Sequence, residues 1–179
     1  MADAPMAGGN RRIDRILAQG FLDELDQFDM DEIRERRDLC RSERDYLSFL
    51  RRLLQGRRDL LRDELDHRAE GGERGSVVER VTAAMSESSR GPSRGEAVVI
   101  ALPDDEIALA RRRVERLLSD AHISNLSALS EEELEQAIAR VEEEERGISD
   151  ARGNVLEAHD ALQGELKRRY RTQLKRLRT

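Results

Sequence analysis

The sequence predicts an all-α protein: an elongated antiparallel coiled coil of two long helices, each preceded by a short helix, that arose by internal duplication. Two observations lead to this prediction. Charged residues make up 39% of the 179-residue chain and aromatic residues only 3%. Such a composition excludes a thick globular core but allows long helices that bury a narrow apolar stripe. In addition, apolar residues recur every seven positions in two segments that lie 101 residues apart.

The internal repeat becomes visible when the sequence is shifted by 101 positions. RRIDRIL, which starts at Arg11, then falls on RRVERLL, which starts at Arg112. The alignment needs no gap as far as Arg68, and identical residues recur along it. Both copies follow the same order of short helix, loop and long helix. Shared composition does not explain this common order, so we interpret the repeat as a duplicated structural unit.

The apolar repeats predict the seam along which the long helices pair. The seam residues are Ile33, Cys40, Leu47, Leu54 and Leu61 in the first copy and Leu134, Val141, Ile148, Val155 and Leu162 in the second. A strict seven-residue repeat is typical of a coiled coil. The complementary positions are Arg36, Glu43, Leu50 and Arg57, against Ala137, Glu144, Ala151 and Ala158. Large side chains opposite small ones favour pairing within one chain, and a homodimer through each seam is the alternative. Cys40 is interpreted as a buried apolar residue rather than a reactive thiol.

The predicted domain boundaries follow from the same patterns. Residues 1–9 form a disordered N-terminus, 10–68 the first short-helix/long-helix repeat, 69–103 a flexible linker rich in Gly and Ser, and 104–179 the second repeat. Asp29 or Asp31 is expected to cap a long helix that ends near Arg68. Ser130 and Glu133 form a capping box for a second long helix, predicted over residues 131–176. The connection between the long helices allows either orientation, and the antiparallel one is simpler because the chain can turn back beside itself.

A polar stripe beside the seam is also repeated. It occupies positions 44, 48, 51, 55 and 59 of the first copy and 145, 149, 152, 156 and 160 of the second. These spacings place each set within a narrow sector of its helix, and antiparallel pairing would bring both sets to one face. The candidate ligand-binding residues are Arg44, Ser48, Arg51, Gln55, Asp59, Glu145, Ser149, Arg152 and Asp160. Arg suits phosphate oxygens or the O6 and N7 atoms of guanine, and Asp accepts N–H groups. The alternative is a solvated charged face.

The polar stripe resembles the signature of the RsiG family of actinobacterial anti-sigma factors, Glu-x3-Ser-x2-Arg-x3-Gln-x3-Asp, which that family carries once on each long helix. The sequence departs from it at Arg44, where the family has Glu, and at Leu156, where the family has Gln. The resemblance implies an antiparallel helical coil whose candidate residues bind cyclic di-GMP as a dimer. It also implies a partner, the flagellar-type sporulation sigma factor WhiG, which the protein would hold inactive and so repress developmental genes. We expect a monomer before the sigma factor binds.

Other functions are disfavoured by the sequence. The three histidines lack metal-ligand spacing, and no glycine-rich phosphate loop follows a strand, so we expect neither an enzyme nor a metal site. The net charge of −6 disfavours direct DNA binding. Without a signal peptide or a long apolar run, the chain is expected to be cytoplasmic and to avoid membranes. One cysteine excludes an internal disulfide. The main alternative function is a structural coiled-coil adaptor that binds no small ligand.

Overall fold

A computed structural model describes residues 11–71, 102–118 and 126–177, and most of these residues lie in helices. The elements are α1 (Arg12–Ile16), α2 (Met30–Ala69), α3 (Asp104–Leu118), a 3₁₀ turn (Leu126–Ala128) and α4 (Glu131–Arg176). Within these ranges no strand occurs, so the all-α prediction is confirmed. None of the described helices has the length and apolar character needed to cross a membrane. The predicted N-terminal segment 1–9 and positions 72–101 of the predicted linker lie outside the described residues.

The chain divides into two compact units. Unit 1 consists of Met1–Ser48 and Ile148–Thr179, and unit 2 consists of Phe49–Gly147. Each unit therefore contains one part of α2 and one part of α4. Unit 1 also contains α1, and unit 2 also contains α3 and the 3₁₀ turn.

In unit 1 the two long helices run antiparallel. The Arg34 guanidinium donates to the Tyr170 hydroxyl over 2.6 Å, and Arg152 Nε donates to Ser48 Oγ over 2.9 Å. Residue numbers thus rise along α2 while they fall along α4, which is the predicted orientation.

Unit 2 shows the same orientation of its helices. Gln55 Nε2 donates to Glu145 Oε1 over 2.6 Å, and Arg62 pairs with Glu142. The predicted antiparallel direction is therefore observed in each unit separately.

Both long helices begin with a capping box. Asp29 Oδ1 accepts the backbone N–H groups of Asp31 and Glu32 at 2.8 Å, and Glu32 Oε2 accepts the Asp29 N–H at 2.9 Å. Ser130 and Glu133 exchange equivalent bonds at 3.2 and 2.7 Å. Reciprocal bonding satisfies backbone donors that the first helical turn leaves free. The cap of α2 is thus Asp29, and the Ser130 prediction is confirmed.

The predicted seam is buried in both helices. All ten of its residues are at most 4% exposed. Of the complementary positions, Leu50 and Ala158 are also buried. Glu43 is only 4% exposed, and it accepts a 3.0 Å bond from Arg12 of α1. Burial raises the pKa of the Cys40 thiol to about 11, which agrees with its interpretation as a buried apolar residue because the reactive thiolate is disfavoured.

The loop before α4 is held by Arg68, at the end of α2 in unit 2. Arg68 Nη1 donates to the Leu129 carbonyl at 2.6 Å, and Nη2 donates to the Leu126 carbonyl at 2.9 Å. Arg68 Nε also donates to Glu64 at 2.8 Å, and these two side chains are only 5% and 0% exposed. The guanidinium thus satisfies loop carbonyls while its charge is balanced by a buried carboxylate.

An equivalent clamp holds the loop before α2 in unit 1. Arg169, near the end of α4, donates to the carbonyls of Leu25 and Phe28 and pairs with Glu165 at 2.6 Å. Arg169 and Glu165 lie 101 positions after Arg68 and Glu64. Their carbonyl partners, at Leu25 and Phe28, lie 101 positions before Leu126 and Leu129. We call the two arrangements the arginine clamps.

Candidate functional site

The polar stripe is half-buried along both helices. In each set the first four positions have intermediate exposure, and the last positions, Asp59 and Asp160, are exposed. The stripe therefore borders the buried seam, as the sequence predicts. Within each set, four partly desolvated positions are followed along the helix by a solvated carboxylate.

In unit 2 the stripe contains a hydrogen-bonded network centred on Glu145. Its Oε1 accepts from Gln55 Nε2 at 2.6 Å, and its Oε2 accepts from Arg58 Nη1 at 2.9 Å. Arg58 also donates through Nε and Nη2 to Asp59 Oδ1, at 3.2 and 3.1 Å. The structure thus brings together three of the predicted residues with one residue, Arg58, that the sequence analysis did not select.

The electrostatic strength of this network depends on its burial. The Glu145 side chain is 14% exposed and that of Arg58 is 24% exposed, while Asp59 is 66% exposed. A charge-assisted bond between half-buried groups is stronger than a solvated ion pair. The contact between Arg58 and Glu145 is therefore the stronger one, and the two bonds to Asp59 contribute less.

In unit 1 the stripe is organised around Ser48. Its hydroxyl donates to the Arg44 carbonyl at 2.7 Å and accepts from Arg152 Nε at 2.9 Å. The Arg44 guanidinium turns instead to Asp45, over 2.8 and 3.0 Å. Ser48 thus fixes the Arg152 side chain through one nitrogen, and both Nη atoms of Arg152 are left to bind another group.

The exposed carboxylate of unit 1 has a different neighbour. Asp160 Oδ1 lies 3.1 Å from His159 Nδ1, where unit 2 has the pair Asp59 and Arg58. In the hydrogen bonds found within the described ranges, both carboxylates use Oδ1 alone. The second oxygen of each can accept from a ligand.

Arg51 and Ser149 are not brought to a partner. Neither side chain makes a hydrogen bond or an ion pair within the part of the chain that the structure describes. Arg51 is nevertheless half-buried. A partly desolvated guanidinium without a counter-charge is an unfavourable arrangement that an anionic ligand would relieve.

Two kinds of residue were missed by the sequence analysis. Arg58 gave no signal because its counterpart is His159, so the repeat does not mark it. The ion pair of Arg12 with Glu43 recurs as Arg113 with Glu144, at 3.0 Å in both cases. The repeat did contain this second signal, because both members are identical between the copies, but the glutamates were treated only as seam positions.

The described residues offer little for metal chemistry. Across 11–71, 102–118 and 126–177, no group of three or more His, Cys, Asp or Glu side chains is placed to hold a metal ion. The chemical capacity of the site is instead that of paired Arg donors and Asp acceptors, which suits an organic anion carrying N–H groups.

The model of the RsiG-like family matches residues 19–85, a range that includes all of α2 and none of α4. No curated protein matches the chain. The resemblance noted on the polar stripe is thus confirmed over the segment that carries Arg44, Ser48, Arg51, Gln55 and Asp59.

Proposed function

From the match of residues 19–85 to the RsiG-like family, we propose that this protein is an anti-sigma factor that sequesters a WhiG-type sigma factor in the presence of cyclic di-GMP. In this proposal it is a cytoplasmic, non-enzymatic regulator that represses developmental genes in an actinobacterium. It is monomeric before the sigma factor binds, and it takes the ligand as a dimer.

The proposal includes internal duplication and coiled-coil pairing of α2 with α4. Its support is the recurrence of specific contacts 101 residues apart: the capping boxes, the Arg–Glu pairs and the arginine clamps. A two-fold repeated protein surface suits a ligand that is itself two-fold symmetric.

The observation that carries the proposal is the state of the two repeated arginines. Arg51 has no partner within the described residues, and Arg152 is engaged there through Nε alone. Each guanidinium thus keeps a pair of donors with the planar geometry that phosphate oxygens or the O6 and N7 atoms of guanine require. Their recurrence at one stripe position in both copies, half-buried in each, supports a shared role in ligand binding.

The repeated carboxylates supply the complementary function. Asp59 and Asp160 are exposed and retain one oxygen each, so they can accept the N–H groups of a guanine Watson–Crick edge. Arg and Asp together therefore match a guanine nucleotide better than a simple phosphate, which offers only acceptors.

The departures from the family signature affect the two units unequally. Arg44 forms an ion pair with Asp45 in unit 1, and Leu156 cannot hydrogen-bond through its side chain. Gln55 and Glu145, which are the family residues, bond to each other in unit 2. We propose that unit 2, considered by itself, offers more contacts to a guanine nucleotide than unit 1 does.

The test is calorimetric titration of cyclic di-GMP into the purified protein mixed with a WhiG-type sigma factor. Losing one charge-assisted hydrogen bond costs about 1.5–3 kcal/mol, roughly ten- to a hundred-fold in affinity. Arg51→Ala combined with Arg152→Ala should therefore abolish ligand-dependent complex formation. The matched control is Arg52→Ala with Arg140→Ala, which removes the same charge from exposed positions of the same helices.

Circular dichroism separates a lost site from a lost fold, because both double variants should keep the wild-type helicity. If the Arg51 and Arg152 variant forms the complex with unchanged ligand dependence, the polar stripe is only a solvated face. A complex that forms equally well without cyclic di-GMP would instead favour the ligand-independent adaptor.

A further inference from the structure

Arg58 is the residue of unit 2 that contacts two carboxylates of the polar stripe. It reaches Glu145 on α4 through Nη1 and Asp59 on its own helix through Nε and Nη2. Neither the repeat nor the family signature assigns this position. We infer that Arg58 is a specificity-determining residue, which positions Glu145 and Asp59 as a pair of acceptors for the adjacent N–H groups of a guanine-type base.

The geometry makes Arg58 a positioning residue rather than a direct ligand contact. Three of its donors are already directed at protein carboxylates. A planar guanidinium with donors on several edges can hold two carboxylates at fixed angles, which a lysine ammonium on a flexible stem cannot do. Arg58 therefore acts on the ligand through the direction in which it holds the carboxylate oxygens.

Glu145 is held from both sides. Gln55 donates to Oε1 and Arg58 to Oε2, and the side chain is 14% exposed. A carboxylate oxygen carries two lone pairs, so each oxygen can accept one further N–H group. Removing the Arg58 bond would free the carboxylate to rotate, and ligand binding would then have to order it again.

The equivalent positions of unit 1 cannot do this. Arg44 stands in place of Glu145, and His159 in place of Arg58. The Arg44 side chain bonds to Asp45, and His159 bonds to Asp160. Unit 1 thus offers one oriented acceptor where unit 2 offers two, and base discrimination should reside in unit 2.

The ligand chemistry follows from the number of acceptors. Guanine presents two adjacent donors, N1–H and the N2 amino group, on its Watson–Crick edge. Adenine presents one amino donor beside an acceptor nitrogen, which two carboxylates would repel. The inference rests on the proposed function, because it deepens the recognition of the same ligand at the same stripe.

The experiment compares cyclic di-GMP with cyclic di-AMP by calorimetry, using the full chain and a WhiG-type sigma factor. Arg58→Gln should weaken cyclic di-GMP binding about ten-fold, the effect of one charge-assisted bond. The preference for cyclic di-GMP over cyclic di-AMP should shrink by a similar factor, and Arg58→Lys should recover only part of it. The control is Arg62→Gln, which removes the same charge one turn away, where Arg62 pairs with Glu142 across the same helices.

A double-mutant cycle tests whether Arg58 acts through Glu145. Glu145→Gln should itself lower the base preference, and adding Arg58→Gln should then cost less than about three-fold. Additive losses in the cycle would overturn the positioning role. Equal losses of affinity and base preference from Arg58→Gln and Arg62→Gln would mean that both act only through the loss of a positive charge, and would also overturn the positioning role.

The failure of this inference can be distinguished from failure of the proposed function. Wild-type protein that binds neither cyclic dinucleotide, with or without sigma factor, overturns both. Wild-type protein that binds cyclic di-GMP with a base preference unaffected by Arg58→Gln overturns the Arg58 role alone. Wild-type helicity in all the variants, measured by circular dichroism, ensures that neither outcome reflects unfolding.

Discussion

Units 1 and 2 agree in the contacts that hold the ends of their helices and differ in the chemistry of their polar stripes. Each unit has a capping box at the start of a long helix, an Arg–Glu pair that joins the short helix to a long one, and an arginine clamp near the end of a long helix. In and beside the stripe, by contrast, unit 2 has Gln55, Glu145 and Arg58 where unit 1 has Leu156, Arg44 and His159.

The difference shows which interactions constrain this sequence. Loop carbonyls and first-turn N–H groups must find a partner, because burying them without one costs free energy. An Arg or a capping residue that supplies the partner is thus hard to replace. Stripe residues border solvent, so the fold tolerates their replacement.

The first prediction tests whether the units have equivalent cores. Leu54→Asp in unit 2 and Val155→Asp in unit 1 each place a carboxylate at a seam position that is 0% exposed. Each should lower the free energy of unfolding by about 3–5 kcal/mol, since a buried charge without a partner is strongly destabilising. Urea denaturation followed by circular dichroism measures this.

The controls for the seam variants introduce the same residue at exposed helical positions. Ala139→Asp lies in unit 2 and Ala161→Asp in unit 1, and each should cost less than about 1 kcal/mol, mainly through helix propensity. A seam variant that costs no more than its control would remove that unit's seam assignment.

The second prediction distinguishes the two arginine clamps. The Arg68 side chain is 5% exposed beside a fully buried Glu64, whereas Arg169 is 20% exposed beside Glu165, which is 12% exposed. Arg68→Ala should therefore cost about 3 kcal/mol and Arg169→Ala about 2 kcal/mol, because the penalty for losing a partner grows with burial. Thermal or urea unfolding gives both values.

Exposed arginines of the same helices serve as the reference for the clamps. Arg52→Ala on α2 and Arg171→Ala on α4 should each change stability by less than about 0.5 kcal/mol. If Arg169→Ala costs more than Arg68→Ala, burial is not what determines the strength of the clamps.

Much of the fold could be predicted from the sequence, because its signals are periodic and local. The seven-residue spacing selected ten positions that are all buried in the structure, and Ser130 with Glu133 marked the start of α4. The arginine clamps could not be predicted, although Arg68 and Arg169 are identical between the copies. Their acceptors are backbone carbonyls of distant loops. Every residue has such a carbonyl, so the sequence does not mark which ones accept a bond.

The grouping of candidate residues was predictable only where the repeat or the family signature marks them. Ser48 with Arg152, and Gln55 with Glu145, were selected by the repeat and signature and do lie together in the structure. Arg58 was not selected, because its role depends on which side chains of α4 lie opposite it in unit 2. That information is a property of helix pairing and not of spacing along one helix.

The third prediction concerns acid stability and has the smallest expected effect. Hydrogen bonds from Arg168, and then from Arg169, lower the pKa of Glu165 to about 2 against the opposing effect of its burial. In unit 2 the position of Arg168 is occupied by His67. A carboxyl whose pKa is lower in the folded than in the unfolded chain stabilises the fold above its unfolded pKa of about 4.5, and this contribution is lost as the pH falls towards 2.

Glu165→Gln should thus cost about 1–2 kcal/mol at pH 7. The cost is no larger because Arg168 is exposed, and solvent screens its attraction to Glu165. The difference from wild type should shrink between pH 5 and pH 2, read from urea denaturation at each pH, whereas the exposed control Glu157→Gln should show no such trend. A Glu165→Gln penalty that is constant over that range would mean that Glu165 contributes through packing and not through its charge.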